Sequence, residues 1–195
     1  MTTALLGFDD GRFEYATASL QSAMRCLPKF DQYIFVDDRH HKLGYAGAIQ
    51  QAWSQVQTDF VFHLELDFTF NHTVPVDRMI ELLVRHPYLV QVSLKRQPWN
   101  GAEIKVGGIV ELNPDRYTER REDDLVWTEH REYFTCNPTV YSSALCRLGW
   151  PQVPQSEHAF IERCLTPAAR FAIWGGKFDP PFVHHIGNKR AGTGY

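Results

Sequence analysis

The stretch FVFHLELDFTF, residues 60–70, combines the pattern of a buried strand with two carboxylates near its end. Aromatic and aliphatic residues dominate it, which predicts a strand inside a sheet. If the strand continues to its end, alternation places Glu65 and Asp67 on one face and Leu64, Leu66 and Phe68 on the other. Two carboxylates this close repel each other unless a cation joins them. The triplet Glu-Leu-Asp therefore predicts either a metal clamp or two acids separated by a turn, and it slightly favours the clamp.

Strand and helix patterns alternate on both sides of this stretch. The predicted strands are residues 3–8, 32–38, 60–70 and 88–94. The predicted helices are residues 13–26, a segment from about Tyr45, and a segment with Pro75 in its first turn and Val76, Met79, Ile80, Leu83 and Val84 on its apolar face. This alternation predicts an α/β fold whose largely parallel sheet is covered by helices on both faces.

The second half of the chain has a less regular pattern. Loops are predicted at residues 95–108 and 113–124. A short strand followed by a helix that ends near Gly149 is predicted within residues 131–151, and Ser156 is a candidate cap for another helix. Two strand-like runs, at residues 169–174 and 181–187, precede the tail NKRAGTGY. We expect a single domain over residues 1–195, with a nucleotide-binding half to about residue 95 and an elaborated half after it.

Composition narrows the class of protein. The 195 residues carry a formal net charge of −3, so no overall basic field indicates nucleic acid or an anionic membrane as a partner. The N-terminus lacks the pattern of a signal peptide, and no apolar run is long enough for a membrane span. The four cysteines are spread without a close pair, which is typical of free thiols in a reducing compartment. These features predict a cytoplasmic protein without membrane contact, as a monomer or weak homo-oligomer.

Acidic residues follow the first three predicted strands, where each strand ends. They are Asp9 and Asp10, Asp37 and Asp38, and Glu65 and Asp67. Ligands of open α/β sheets bind beyond the carboxyl ends of the strands. A divalent cation with a phosphate ligand needs one or two carboxylates at such an edge, and a ribose or base needs acceptors there. Any single pair could instead cap a helix or lie in a solvated turn.

The order of these segments resembles the GT-A glycosyltransferases, in which an Asp-x-Asp triplet holds Mn²⁺ or Mg²⁺ against the diphosphate of a nucleotide-sugar. YIFVDD resembles the strand that reads the nucleoside, FTCNPTVYSSALCRLGWP resembles the acceptor-side segment, SEHAFIERC the segment of the catalytic acid, and VHHIGNKRAGTGY the C-terminal segment that completes the metal shell. The resemblance implies a three-layer α/β/α sandwich with a Rossmann-like nucleotide-binding half and an acceptor half.

The resemblance also implies roles for individual residues. Asp67 and His185 would hold the Mn²⁺ or Mg²⁺, with His184 as the competitor of His185, and Glu157 would be the catalytic base of an inverting transfer. Candidates for the donor nucleotide-sugar are Phe8, Asp9, Arg12, Asp37, Asp38, Glu65, Arg96, Lys189 and Arg190, with Lys95 as a further cation; candidates for the acceptor or sugar are Trp99, Glu103 and Asn137.

Two positions depart from the family pattern. The triplet begins with Glu65 instead of Asp, so Asp67 is the safer metal ligand, and the second acid expected after Glu157 is missing.

Trp127 is predicted either to stack on a ligand or to pack in the core. A UDP-sugar is the favoured donor. The acceptor stays open among protein, glycan, small molecule and a modified pyrimidine in phage DNA.

Two other functions compete with the transferase. A nucleotidyltransferase would share the layered architecture and a metal-binding acid, but it would usually carry a Gly-rich basic loop after the first strand, where this chain has GFDDGRFEY. A non-catalytic nucleotide-sugar-binding module would bind the same ligand without turnover and would be indifferent to a change at Glu157.

Overall fold

A mixed sheet of eight strands and a small sheet of two strands organise the chain, of which the computed structural model describes residues 1–9, 12–38 and 42–187. In chain order the strands are β1 Thr3–Asp9, β2 Gln32–Asp37, β3 Phe60–Glu65, β4 Phe68–Phe70, β5 Leu89–Ser93, β6 Thr118–Glu122, β7 Leu125–His130, β8 Thr139–Ser142, β9 Arg170–Trp174 and β10 Val183–His185. The large sheet has the order β2-β1-β3-β8-β5-β9-β7-β6, and the small sheet pairs β10 with β4.

The strands that the predicted nucleotide-binding half contributes to the large sheet, β1, β2, β3 and β5, run parallel to one another. β1 pairs with both β2 and β3 in parallel, and β5 pairs with β9 in parallel. β8 lies between β3 and β5, antiparallel to both, and β7 is antiparallel to β9 and to β6. The predicted α/β fold is confirmed, but β7 and β8 make the sheet mixed. Because β8 comes from the second half, one sheet runs through both predicted halves.

Helices cover both faces of the large sheet. They are α1 Phe13–Cys26, α2 Gly44–Trp53, α3 Val76–Arg85, α4 Gly101–Val106, α5 Ile109–Leu112 and α6 Ser156–Cys164, with 3₁₀ turns at Pro114–Arg116 and Ser143–Leu148. None of the helices within the described ranges combines the length and apolar character that a membrane span requires.

The two faces of β3 belong to two hydrophobic cores. Phe62 and Leu64 face the core that α1 and α3 cover, whereas Val61 faces the core that α2 and α6 cover. Each large apolar side chain buried in this way stabilises the fold by roughly 1.5–3 kcal/mol. The side-chain alternation of a single strand thus generates the three layers, as predicted.

The prediction of a single strand over residues 60–70 is wrong. β3 ends at Glu65, and the chain turns at Leu66 and Asp67 before β4 begins. β4 leaves the large sheet because it pairs with β10, and the backbone N–H of Ile186 donates to the Asp67 carbonyl at 2.8 Å. Glu65 and Asp67 therefore do not share one face of a continuous strand.

The apolar face of α3 differs from the prediction at one position. Val84 is 53% exposed, while Leu82, which was not assigned to the stripe, is fully buried with Met79. Successive residues of a helix are rotated by about 100°, so a stripe centred on Met79 and Leu83 includes Leu82 and leaves Val84 at its edge. Pro75 precedes the helix as its cap instead of forming its first turn.

The second half contains more regular structure than the sequence indicates. Residues 95–108 include α4, whose cap Asn100 accepts hydrogen bonds from two backbone N–H groups, and residues 113–124 include β6. β6 has the charged sequence TERRE because it is the edge strand of the sheet, where both side-chain faces reach water. Its pairing with β7, not its composition, makes it a strand.

The structure corrects two local predictions in this half and decides between the two alternatives of a third. The helix expected before Gly149 is a 3₁₀ turn, and Ser156 is the first residue of α6, not its cap. Trp127 lies in β7 and is buried, and its indole N–H donates to Glu129 at 3.0 Å. Trp127 is therefore a core residue, one of its two predicted alternatives.

Candidate active site

The carboxyl ends of β1, β2 and β3 meet at one edge of the large sheet. The register places Asp9 opposite Asp37 and Phe8 opposite Glu65. The backbone thus brings the predicted acidic strand ends together. The side chain of Asp9 and residues Asp10, Lys189 and Arg190 lie outside the described residues, so their predicted roles stay predictions.

A cavity of about 410 Å³ opens next to this edge. Its lining includes the predicted residues Glu65, Lys95, Arg96, Trp99, Asn137, Glu157 and His185, together with Tyr45, Phe68, Ser93, Leu94, Ile109, Tyr133, Phe134, Thr135 and Ile173. The volume lies within the range of small-molecule sites in proteins. Seven predicted site residues from distant parts of the sequence therefore surround one space.

Asp67 forms the centre of a compact ionic cluster that reaches the cavity through His185. Its Oδ2 accepts a hydrogen bond from Arg12 Nη2 at 2.9 Å, and His185 Nε2 lies 3.1 Å from the same oxygen. Asp67 is 3% exposed, and Gly187 packs so closely that a Cβ there would lie 2.4 Å from Oδ2. The close approach of backbone and carboxylate explains the need for glycine at this position.

His185 is held in place by its backbone and by two aromatic rings. The Gln97 side chain accepts from the His185 N–H at 2.9 Å and donates to its carbonyl at 3.0 Å. The imidazole lies 4.6 Å from the ring of Phe68 and 4.4 Å from that of Trp99. His184 is exposed on the opposite face of β10, so His185 is the histidine that faces Asp67.

The cluster favours an ionised Asp67. Burial opposes ionisation, but the hydrogen bond and charge of His185 and the charge of Arg12 outweigh it and lower the pKa of Asp67 below its ordinary value. The carboxylate is therefore negatively charged at neutral pH and attracts a cation or a donor group.

The residues around Asp67 fit a divalent cation in their donor chemistry. The buried Oδ1 of Asp67 has no hydrogen-bond partner among the described residues, and the imidazole Nε2 of His185 is adjacent to Oδ2. No group of three or more His, Cys, Asp or Glu side chains that could hold a metal ion occurs in the described part of the chain. A site with one carboxylate and one imidazole would depend on substrate phosphates and water for its remaining ligands.

Glu157 lies in the first turn of α6, one of the two helices that cover the core containing Val61, and it lines the cavity. Its Oε1 accepts a hydrogen bond from the Cys136 backbone N–H at 2.6 Å. Burial raises the pKa of both the Cys136 thiol and the Tyr45 hydroxyl, and the charges of Glu157 and Glu65 raise both further. Glu157 and Glu65 therefore act on the same two buried groups, and both line the cavity.

Two cations at the cavity are paired with acids, of which Glu103 is buried and Glu111 is partly exposed. Arg96 donates through Nη1 and Nη2 to the two oxygens of Glu103, at 2.8 and 3.2 Å. Lys95 Nζ donates to Glu111 at 2.7 Å. Glu103 also accepts from the Trp99 N–H at 2.9 Å, and it is not part of the cavity lining given by the described residues. Glu103 orients Arg96 and the Trp99 loop in this structure.

Asp38 and Phe8 have local partners. The Asp38 carboxylate accepts from the backbone N–H groups of Leu43 and Gly44, which start α2, as the helix-cap alternative for these acids predicts. The Phe8 ring stacks on the buried His63 with centroids 4.8 Å apart. Both residues remain at the predicted edge of the sheet.

Several residues that line or support the site have no recognisable signal in the sequence. The local sequence indicates only a helix face for Tyr45, a free thiol for Cys136, a loop for Gln97 and a strand end for Gly187. Gln97 acts through its side-chain amide on the backbone of His185, 88 residues away. Such a contact depends on the pairing of distant segments, which no local pattern reports.

No protein-family model matches the chain, and no curated sequence does either. Solved structures of TarS residues 1–349 from S. aureus, a GT-A-type glycosyltransferase, share its fold. The complex with UDP-GlcNAc gives a TM-score of 0.62 at 15% identity, covering 98% of this chain and 62% of TarS 1–349. The complex with UDP gives 0.61 at 14% identity, with coverages of 94% and 60%. A197 from STIV gives 0.53 at 10% identity, with coverages of 90% and 82%.

These similarities show that the chain has a mixed α/β fold that resembles the GT-A glycosyltransferase fold. The chain spans about 60% of the length of the TarS 1–349 structures. At this level of identity the likeness describes the fold, and the chemistry rests on the site.

Proposed function

We propose that the protein is a glycosyltransferase that moves a sugar from a nucleotide-diphosphate donor, with a UDP-sugar favoured, to an acceptor hydroxyl. The observation that carries the proposal is that one cavity has both Glu157 and His185, the latter hydrogen-bonded to Asp67, in its wall. A cation-binding pair and a candidate base around one small-molecule cavity match the needs of this reaction. The solved TarS complexes with UDP and UDP-GlcNAc support the choice of donor.

Asp67 and His185 are the residues that would hold a Mn²⁺ or Mg²⁺ ion, and the imidazole favours Mn²⁺. When bound, such an ion supplies Lewis-acid neutralisation of the leaving diphosphate. Arg12, next to Asp67, carries a guanidinium that can bind phosphate oxygens in a fork geometry. Phe8, Asp37 and Asp38 lie at the strand edge where the nucleoside would bind, by analogy with other open α/β sheets.

Glu157 would take the proton of the acceptor hydroxyl while that oxygen attacks the sugar from the face opposite the diphosphate. This single displacement inverts the anomeric centre. The hydrogen bond from the Cys136 N–H fixes one carboxylate oxygen, which orients the base toward the cavity. Trp99, 48% exposed, and Asn137 lie in the same lining and are candidates for contacts with the transferred sugar or the acceptor.

A donor panel tests the proposal. UDP-, GDP-, CMP- and dTDP-sugars are incubated with the protein and Mn²⁺ or EDTA, with water taking the place of the acceptor hydroxyl, and release of the nucleotide by this hydrolysis is measured. We expect release with at least one UDP-sugar in Mn²⁺. A Glu157→Gln variant should lose about 100-fold or more of this rate, since general base catalysis contributes roughly 10²–10⁴.

Glu162→Gln is the matched control, because Glu162 is exposed on the same helix as Glu157. It should keep the rate of the unmodified protein. Absence of nucleotide release from every donor would overturn the transferase proposal. Binding of a UDP-sugar without turnover, and without a difference between the Glu157 variant and its control, would instead identify a binding module.

A hydroxymethylated pyrimidine in phage DNA is the acceptor that we propose to test first. The three arginines of the charged segment 113–124 each pair with a glutamate: Arg116 with Glu132, Arg120 with Glu129, and Arg121 with Glu119. DNA binding would need these pairs to open, so its affinity should fall steeply with salt. An affinity for DNA that is the same at about 50 and about 200 mM salt would contradict DNA as the acceptor.

A further inference from the structure

Arg12 Nη2 and His185 Nε2 both lie within hydrogen-bond distance of Oδ2 of Asp67, so a cation held by Asp67 and His185 would compete with Arg12 for this carboxylate. We propose that Arg12 and the cation exchange at the Asp67 carboxylate, so that Arg12 couples binding of the cation to binding of the nucleotide. Without a nucleotide, Arg12 holds Asp67 and weakens cation binding. With a nucleotide, Arg12 transfers to the diphosphate and releases Asp67. The inference rests on the proposed function, because it assumes a diphosphate ligand.

The geometry leaves little room for the three groups at once. Arg12 Nη2 lies 2.9 Å from Oδ2 of Asp67 and His185 Nε2 lies 3.1 Å from it. Gly187 closes the remaining side, where an added Cβ would lie 2.4 Å from Oδ2 and 3.1 Å from Arg12 Nη1. A cation bound between Asp67 and His185 would be in contact distance of the guanidinium, and like charges this close repel strongly in a partly buried site.

Arg12 is placed to change partners. Its side chain is 24% exposed, whereas that of Asp67 is 3% exposed, so the guanidinium lies at the boundary between the buried carboxylate and solvent. It belongs to the residue immediately before α1, at the strand edge where the diphosphate is proposed to bind. A diphosphate offers the guanidinium a bidentate anionic partner in place of Asp67.

The exchange has a thermodynamic consequence that can be measured. If nucleotide removes Arg12 from Asp67, nucleotide must tighten cation binding, and the cation must tighten nucleotide binding by the same factor. Removing the guanidinium should abolish the part of this coupling that passes through Arg12, and the part in which the diphosphate itself ligates the cation should remain. Couplings of this type are typically about 5- to 150-fold in affinity.

The test measures the Mn²⁺ dissociation constant by electron paramagnetic resonance, with and without UDP. In Arg12→Gln we expect Mn²⁺ alone to bind at least about 5-fold more tightly than in the unmodified protein. With UDP present, the variant should bind Mn²⁺ no more tightly than the unmodified protein does. Arg25→Gln, which removes an exposed charge from the other end of α1, should change neither constant.

Two further variants keep the result interpretable. Asp67→Asn added to Arg12→Gln should remove the gained Mn²⁺ affinity, which places the ion at Asp67. Arg12→Lys retains the charge without the fork and should show an intermediate coupling. Melting temperatures of all variants verify that each is folded.

The outcomes separate the inference from the function. Unchanged or weaker Mn²⁺ binding in Arg12→Gln overturns the exchange and leaves the transferase proposal standing. An equal gain with and without UDP also overturns it, because simple loss of positive charge would produce that pattern. If no protein binds Mn²⁺ under any condition the exchange is overturned, and nucleotide release in EDTA then decides the transferase proposal on its own.

Discussion

The imidazole of His185 lies 3.1 Å from the carboxylate of Asp67, although 118 residues separate them in the chain. The antiparallel pairing of β4 with β10 creates this contact, since it places Phe68 opposite His185 directly after the turn that contains Asp67. A strand of three residues thereby positions the central pair of the candidate active site.

The adjacent histidines His184 and His185 provide a matched comparison. His185→Ala should reduce nucleotide release at least tenfold, because it removes the neighbour of the Asp67 carboxylate and the ring between Phe68 and Trp99. His184→Ala should leave the rate within about twofold, because its side chain is exposed away from the cavity. Equal losses in the two variants would contradict the assignment of His185.

Gly187→Ala should disturb the ionic cluster directly. The new Cβ would lie 2.4 Å from Oδ2 of Asp67, so the carboxylate or the backbone has to move. We expect a loss of about 1–3 kcal/mol in the free energy of unfolding and weaker UDP binding by calorimetry. The control is Gly101→Ala, where a Cβ would meet nothing within 4 Å. A Gly187→Ala protein with unchanged UDP affinity would show that the cluster does not contribute to the donor site.

Two buried histidines should make the fold sensitive to mild acid. Burial lowers the pKa of His63 and of His130 to about 3, below the ordinary value of 6.5. Below pH 6.5 the unfolded chain binds protons at these residues and the folded chain does not, so stability is full above pH 6.5 and falls as the pH decreases. Between pH 7.5 and 5.5 we expect a loss of about 1.4 kcal/mol for each histidine.

Urea unfolding at pH 7.5, 6.5 and 5.5 measures this loss. His130→Asn removes one of the two titrating groups and should reduce the dependence on pH by about half. A free energy of unfolding that stays constant over this range would show that the two rings do not remain neutral in the folded protein.

The corrected face of α3 can be tested with one pair of variants. Met79→Ala removes a fully buried side chain and should cost about 2–5 kcal/mol in the free energy of unfolding. Val84→Ala lies on the same helix but is 53% exposed, and it should change the stability by no more than about 0.5 kcal/mol. Chemical denaturation of both variants gives the comparison, and similar costs would place Val84 in the core after all.

The alternating apolar and helical patterns alone determined the architecture of the first half. The predicted helix over residues 13–26 coincides with α1, three of the predicted strands correspond to β1, β2 and β5, and the first part of the fourth, over residues 60–70, corresponds to β3. Local periodicity is sufficient here because each element packs one regular face against a core. The convergence of acidic strand ends at one edge also followed from the sequence, since parallel strands share their carboxyl ends.

Only the tertiary structure decided where β3 ends, which histidine faces Asp67, and that the charged segment TERRE is a strand. Each depends on hydrogen bonds between segments far apart in the chain: β4 with β10, Gln97 with His185, and β6 with β7. Backbone pairing and charge neutralisation act through space, so a local pattern does not encode them. The two acids of FVFHLELDFTF were evident as residues from the start, but the turn between them separated Glu65, in the cavity wall, from Asp67, in its buried ionic cluster.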